Sequence, residues 1–479
     1  MNAAGIVFSA VGAAIALPLS AAVIRTLLIP SKSADYKPAP DEKRTAAYAE
    51  KLSKMVQYET VSEQGNPQVE KFLGFHRLLE ELFPLLHEKL EKTEIDGNLL
   101  YYWKGRSSAK PLILMSHQDV VPAEGEWTHE PYSGDIADGK VWGRGSGDIK
   151  CGVMSFMQAV EELLAEGYVP ENDVYLASSC TEEWGGDGAP KIIAELESRG
   201  VKPYMVCDEG GGIINEPIGG VPGNFAMIGV FEKGQGRLKF TARSSGGHAS
   251  APPKNSPIAR LAPFQNHVEK HNPFKRVISK EVRAMFEALA PYGSFPMKLL
   301  LGNVWLFGPL MKLAMPAVSS QAAAMLQTTI AFTMQSGSDA YNVLPQEASV
   351  GANLRYIPHQ GMEESNAIIE KIAAKYGLET EIVVAEDFSP PVDITGEGWK
   401  MITAAIEKTF PGLPQSPYVM TGGTDSRFYQ KICDNCFRFA PIIYGPEQLK
   451  GMHGIDENIE AACLPGAVDF YKNIIDLNK

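Results

Sequence analysis

Residues 174–186 read Val-Tyr-Leu-Ala-Ser-Ser-Cys-Thr-Glu-Glu-Trp-Gly-Gly: an apolar run, then two adjacent glutamates, then two glycines. The run Val174 to Cys180 reads as a buried strand, and the glycines allow a sharp turn just past its end. Glu182 and Glu183 at such a strand mouth repel each other and lose hydration, so something nearby must compensate if both stay ionised. A bound cation is one candidate.

Working outward, Leu112 to Met115 and Tyr204 to Cys207 are further short apolar strands, with helical patterns at Gly152 to Glu166 and Lys191 to Arg199 between them. Strands alternating with helices imply an α/β domain with a central, mostly parallel sheet. Upstream, helical patterns cover Lys43 to Val56 and Val69 to Lys92. Near Phe231 the texture changes. Strand-like Arg237 to Arg243, helical Pro257 to Lys270, strands Thr328 to Gln335 and Glu347 to Tyr356, helical Met362 to Lys375 and strand Glu379 to Val384 follow in the order β-α-β-β-α-β. That order is the ferredoxin-like pattern and reads as an inserted α+β lid domain over 231–387. A helical excursion, about 272–327, interrupts it with apolar turns such as FPMKLLLGNVWLFGPLMKLAMP, Phe295 to Pro316. It reads either as buried packing or as a lipid- or acyl-facing surface. The α/β texture then resumes, with a helix Trp399 to Phe410, a strand Phe437 to Tyr444 and a helix Gly466 to Asp476, so the catalytic domain is divided into 42–230 and 388–479.

The N-terminal stretch Gly5 to Ile24 is uncharged and about as long as the ~20 residues a spanning helix needs. Residues 1–29 read as a hydrophobic membrane anchor and 30–41, polar and proline-bearing, as a linker. A cleaved signal peptide is the rival reading, but no Lys or Arg precedes the segment, whereas Arg25, Lys32 and Lys37 follow it. By the positive-inside rule the large domain faces the cytoplasm, with export as the alternative. A net charge of -13 without a basic stripe argues against nucleic acid as a partner. Six cysteines in 479 residues do not make a disulfide framework, and Cys433-x-x-Cys436 has no second CxxC to complete a zinc site.

Ligands gather at the strand ends of open α/β sheets. The acids and histidines there are His117 and Asp119 in MSHQDVVP, Asp148 in GRGSGDIKCG, Glu182 and Glu183, Asp208 in VCDEGGG, and His453 in GMHGIDENI. Imidazoles with carboxylates suit zinc, and a bridging carboxylate holds paired ions ~3.5–4 Å apart. In His-x-Asp on an extended backbone, Asp119 can accept from the other ring nitrogen of His117 and fix its tautomer. One of the paired glutamates then serves as metal ligand and its neighbour as general base.

The motifs HxDVVP, GRGxxDxK, EE followed by GG, and DEGG occur in the order and with the separations of the aminoacylase/carboxypeptidase family of di-zinc metallopeptidases, which this chain resembles over roughly residues 45–475. That family includes acetylornithine deacetylase, succinyl-diaminopimelate desuccinylase and glutamate carboxypeptidase. WTHEPYSGDIADGKVWGRGSGD, SGGHASAPPK and the long excursion resemble its carboxypeptidase S and N-fatty-acyl-amino-acid synthase/hydrolase branch. The resemblance implies two Zn2+ ions, with Co2+ or Mn2+ as substitutes, bridged by Asp148. Asp208 would accompany His117, and Glu183 would accompany His453. It makes Glu182 the general base, and His248 the donor to the tetrahedral oxyanion. Arg355, Asn342, Gly423, Thr424 and Arg427 resemble positions that contact the substrate carboxylate, while Glu209 and Asp187 read as supporting or solvated acids and Asp425 as either a ligand or a supporting acid. The implied substrate is a small peptide or N-acyl amino acid, cleaved at the amide beside an amino acid with a free carboxylate. N-fatty-acyl-amino-acid synthesis or hydrolysis is the alternative, a catalytically retired membrane-tethered binding protein the more distant one. Homodimerisation through the second domain is a further family expectation.

Overall fold

The structure, a computed structural model, describes residues 3–66 and 68–479, with side chains from residue 16 onward. A ten-stranded sheet forms the centre. Ser107–Met115 runs parallel to both Asn172–Ser178 and Met205–Asp208, and Met205–Asp208 is in turn parallel to Cys436–Arg438. Parallel strands deliver their C-terminal ends to one edge, so residues 116–119, 179–183 and 208–210 emerge side by side. Leu112, Leu114, Val174, Leu176 and Met205 lie in the core beneath that edge, packed with Val153, Met157 and Val160 of the Cys151–Ala165 helix.

The sheet is mixed rather than mostly parallel. Glu91–Ile95 pairs antiparallel with Asn98–Trp103, which pairs antiparallel with Asn172–Ser178; on the other side Gly212–Asn215 and Asn224–Glu232 form an antiparallel pair. The first hairpin turns at Asp96 and Gly97, whose φ values of 49° and 86° are those of a two-residue turn that matches strand twist. Helical periodicity over 69–92 masks the start of this hairpin's first strand at Glu91. The helix in fact stops at Leu82, restarts as Pro84–Lys89 because proline suits a first turn but not an interior, and yields to strand at Glu91. Likewise 437–444 divides into Cys436–Arg438 and Ile443–Tyr444 around Pro441, which has no N–H to donate.

Residues 234–386 build a second, four-stranded sheet in the order Thr329–Ser336, Glu347–Tyr356, Gly234–Arg243, Glu379–Glu386, antiparallel throughout. One face is covered by Pro257–Lys270 and Met362–Lys375, through Leu261, Phe264 and Ile369 against Leu238, Phe240 and Val350. The excursion is helical: Lys280–Leu289, Phe295–Gly302, Val304–Val318 and Ser320–Leu326. Val282, Phe286 and Leu301 pack with Phe225, Phe231 and Val419 of the central sheet's strands.

The expected anchor at 5–24 falls largely on residues whose side chains lie outside those described. The helix Ala3–Leu28 contains Pro18, and among the described residues no single helix is long and apolar enough to cross a membrane. Its C-terminal half docks on the excursion, where Asn303 Nδ2 donates to Thr26 Oγ1 at 2.9 Å and Lys298 Nζ to Ser31 Oγ at 2.6 Å.

Candidate active site

At the end of Ser107–Met115 the His117 ring is buried, and its Nδ1–H donates to the Asp119 backbone carbonyl at 2.9 Å. That bond fixes the ring with Nε2 facing Asp148 Oδ1, 3.2 Å away. The expected partner was the Asp119 carboxylate; it stands 3.4 Å away because it is turned toward the neighbouring strand end. There it accepts from the Glu182 and Glu183 amides, each at 3.2 Å, and from Ser62 Oγ at 2.6 Å. Asp119 therefore positions both glutamates. The turn that carries them closes through Gly185, at φ 70°, whose N–H reaches the Glu182 carbonyl at 2.8 Å.

Asp148 sits on a loop shaped by an acid far along the chain. Glu457 Oε1 accepts from the amides of Gly145, Gly147 and Asp148 at 3.1, 2.8 and 2.9 Å, while Oε2 pairs with Arg144 Nη1 at 2.6 Å. Arg144 also donates to the Gly454 carbonyl at 2.8 Å, tying that loop to the segment of His453. His453 Nε2 lies 2.9 Å from Asp148 Oδ2 and 3.1 Å from Glu183 Oε2. Asp148 thus stands between the two histidines with one oxygen toward each. His117, Asp148 and Glu183 offer ligand atoms within 4.8 Å of one another.

Asp208 is buried at the end of the adjacent strand. Its oxygens accept from the amides of Ser426 and Glu209, each at 2.8 Å, and its acidic neighbours are Asp425 and Glu232. Burial, then Asp148 and Asp208, raises the Glu209 carboxyl well above the carboxylate range, with His117 and Glu182 also among its charged surroundings.

The electrostatics are those of a crowded acidic centre. Burial, then Asp148 beside it, raises the Glu183 carboxyl to about 6, and burial with Asp425 and Glu183 raises Glu182 well above the carboxylate range. Burial opposes a charge on His117, but Asp119 and Asp148 outweigh it and hold the imidazole well above its ordinary value. Hydrogen bonds to Asp148 and Glu183 push His453 up to about 10.

A cleft of about 290 Å³ opens beside the cluster, lined by Glu182, Glu183 and His453 on one side and by Arg237, Arg355, Arg427 and Gly423 on the other. Burial, then Arg427 and Arg237, lowers the pKa of Arg355. Arg427 Nε is buried without a hydrogen-bond partner among the described residues, with Glu386 3.9 Å away. Of the expected carboxylate contacts, Arg355, Gly423 and Arg427 reach this cleft, whereas Thr424 is buried beneath it with N and Oγ1 on Glu232 at 2.7 and 2.6 Å. His248 and Asn342 also stand apart. They sit at an exposed two-stranded sheet, Gly247–His248 against Val343–Leu344, where Ala249 N donates to the Asn342 carbonyl at 3.0 Å and His248 Nδ1 meets Ser250 Oγ at 2.8 Å. Arg144, Glu209 and Glu457, which lie inside the quoted motifs without a ligand or catalytic role read from them, and Arg237, which lies in none of them, also face the site. All six cysteines are buried and unpaired.

Residues 113–477 match a family model described as peptidase family M20/M25/M40. The chain is 31% identical over 442 residues to a probable carboxypeptidase S-like protein of Dictyostelium discoideum, covering 89% of this chain and 84% of that one. It is 32% identical over 444 residues to the N-fatty-acyl-amino acid synthase/hydrolase of Homo sapiens, covering 90% and 87%. Among solved structures, an M20 family metallo-carboxypeptidase from Sulfolobus solfataricus shares the fold, with a TM-score of 0.67 at 19% identity over 92% of this chain and 99% of that one.

Proposed function

The chain belongs to the M20/M25/M40 peptidase family and is a hydrolytic enzyme, and from that premise we propose that it cleaves, with two divalent metal ions, the amide between an acyl or aminoacyl group and an amino acid bearing a free carboxylate. One observation carries this reading: an acidic histidine cluster and an arginine-lined cleft share a wall at Glu182 and Glu183. A substrate with a scissile amide and a carboxylate spans the two.

The donor set fits metal. Glu183 Oε1 is buried with no hydrogen-bond partner among the described residues, and the bond at Nδ1 fixes the His117 ring with Nε2 facing Asp148. Asp148 would bridge, with His117 and Glu209 on one side and Glu183 and His453 on the other. Zinc suits this nitrogen and oxygen set. Ions bound there make water a nucleophile near neutral pH and polarise the carbonyl.

The protein's own groups do the rest. Glu182, fixed through its amide by Asp119, takes the proton of the attacking water and returns it to the leaving amine. Arg355 and Arg427 pair with the substrate carboxylate, a match guanidinium makes bidentately. Within one chain His248 is exposed and away from the cleft, so on this reading it serves as oxyanion donor only after the 234–386 unit moves or when a second copy supplies it. The membrane tether at 5–24 remains part of the proposal, supported by the exposed Leu17, Leu27 and Leu28, and sedimentation of the whole chain with membranes tests it.

Amino-acid release from a panel of dipeptides and N-acyl amino acids, each also supplied with its carboxylate amidated, tests the function. Release from the free acids, falling ~10²–10⁴-fold in Glu182→Gln, is the expected result. Equal cleavage of the amidated forms would remove the role of the arginines. No release from any substrate by metal-loaded enzyme would overturn the reading.

A further inference from the structure

The helix Val304–Val318 of the excursion is apolar on both sides. Val304, Gly308 and Met311 are buried on its inner side, while Leu310, Leu313 and Val318 are 56%, 70% and 86% exposed. Lys312 is its single charged residue. A helix that is hydrophobic all round is ordinarily covered all round. Met362–Lys375 of the same unit shows the usual division, with Ile369, Ile372 and Ala373 inward and Glu363, Glu364 and Lys371 outward. The N-terminal helix extends the apolar face. Its Ala22 and Thr26 are buried against the excursion, where Asn303 Nδ2 also reaches the Ala22 carbonyl at 3.3 Å. Gly302 makes room for Ile29, whose Cδ1 would lie 2.5 Å from a Cβ at that position. Asn303 stands at the 103° bend between Phe295–Gly302 and Val304–Val318, so the N-terminal helix is tied to the corner of the excursion. Leu17, Ile24, Leu27 and Leu28 remain exposed beside it. Together these side chains expose more than the few hundred Å² typical of a monomer's largest apolar patch.

We propose that this face lies in the interface of a lipid leaflet, so that the excursion is a second membrane contact beside the tether at 5–24. The inference goes beyond the amide-hydrolase reading and does not depend on it. Continuity commits the face to lipid. The helix docked on the excursion leads back into the uncharged stretch Gly5 to Ile24, about as long as the ~20 residues a bilayer core takes, which keeps the excursion at the leaflet that stretch enters. Length fixes how the excursion lies. At ~1.5 Å per residue the 15 residues of Val304–Val318 reach about 22 Å, short of the ~30 Å hydrocarbon core, and Pro309 and Pro316 interrupt them. Such a helix rests in the plane of the interface with its apolar side in the acyl boundary. Trp305 and Lys312 suit that depth, since each pairs an apolar body with a polar tip. The Trp305 ring also has its Nε1–H satisfied inside the protein, by Asn303 Oδ1 at 3.2 Å.

The test separates the excursion from the tether within the full-length chain. The protein is reconstituted in phosphatidylcholine vesicles with plain or brominated acyl chains, and the emission that Trp305→Phe removes is read in each. Bromine quenches an indole only on contact, so this emission should be lost in the brominated vesicles. Leu310→Glu/Leu313→Glu, at exposed positions where the melting temperature should not change, should restore it while the chain still floats with the vesicles through its N-terminus. Flotation with equal Trp305 emission in the two vesicles would keep the tether and overturn the docking, as would quenching that survives both glutamates. No flotation of the unsubstituted chain would overturn tether and docking together. Unquenched Trp305 with a concentration-dependent dimer that both glutamates abolish would make the occupant a second copy of the chain and would also overturn the proposal.

Discussion

Glu457→Gln is the substitution whose cost follows most directly from the geometry. The side chain is 1% exposed, pairs with Arg144 at 2.6 Å and accepts from three backbone amides on the loop that carries Asp148. A glutamine has one acceptor oxygen. If it turns that oxygen to the three amides, its NH2 faces the Arg144 guanidinium donor to donor; if it turns the oxygen to Arg144, the amides lose their acceptor. Either way a buried cation loses its counter-charge, at ~3–5 kcal/mol. At the ~2 °C per kcal/mol expected of a large domain, the melting temperature should fall by about 6–10 °C. Because the loop positions Asp148 and Arg144 reaches the Gly454 carbonyl, metal affinity should fall ~10–100-fold as well. Calorimetry and metal titration against a competing chelator read the two effects. The double variant Arg144→Met/Glu457→Leu removes the charge pair, so it should recover part of the stability while metal affinity stays low. A Glu457→Gln protein that melts within about 1 °C of the parent and keeps its metal affinity would refute the reasoning, because the loop would then not depend on this carboxylate.

Arg355→Ala should lower kcat/KM for substrates with a free carboxylate by ~10–100-fold, the worth of a charge-assisted hydrogen bond, and change that for amidated analogues little, as steady-state kinetics on matched pairs would show. Glu209→Ala should lose bound metal by elemental analysis, whereas Asp208→Asn should keep its metal and lose thermal stability, since Asp208 accepts from the Ser426 amide at 2.8 Å. His87 donates from Nδ1 to the Phe83 carbonyl at 2.8 Å and accepts at Nε2 from Tyr101 Oη at 2.9 Å, and burial lowers its pKa. The unfolded chain takes up a proton at ~6.5 that the folded ring refuses, so stability present above that pH is lost as pH falls, by at most ~1.4 kcal/mol per pH unit. Denaturation of His87→Gln across pH 5–8 should show a correspondingly shallower acid limb.

The strand ends were legible because apolar runs closed by glycine or a short acidic motif are local signals, and His117, Asp148, Glu183 and His453 are brought together as their positions at those ends require. What was not legible depends on direction or on distant pairing. Asp208 and Glu209 are equivalent as letters at a strand end, and only the emerging backbone decides which one turns to the cluster. Glu457 and Arg144 stand 313 residues apart, and one of three acids in GIDENIE gives no sign that it shapes another loop. Arg237 lies on an alternating strand whose register against Arg355's strand depends on the Asn353 pairing. The mixed character of the sheet was hidden at the hairpin before Asp96-Gly97, whose first strand starts at Glu91 inside a stretch that reads as helix. His248 matches a motif, but its place depends on the pairing of Gly247–His248 with the distant Val343–Leu344, which no local signal encodes.

Anomalous diffraction at the zinc edge, from crystals of the metal-loaded enzyme, tests the central claim most directly. The account predicts two peaks ~3.5–4 Å apart with Asp148 between them, one beside His117 and Glu209 and the other beside Glu183 and His453. A single peak, or peaks at Asp208 or at Cys433 and Cys436 with none at this cluster, would contradict it.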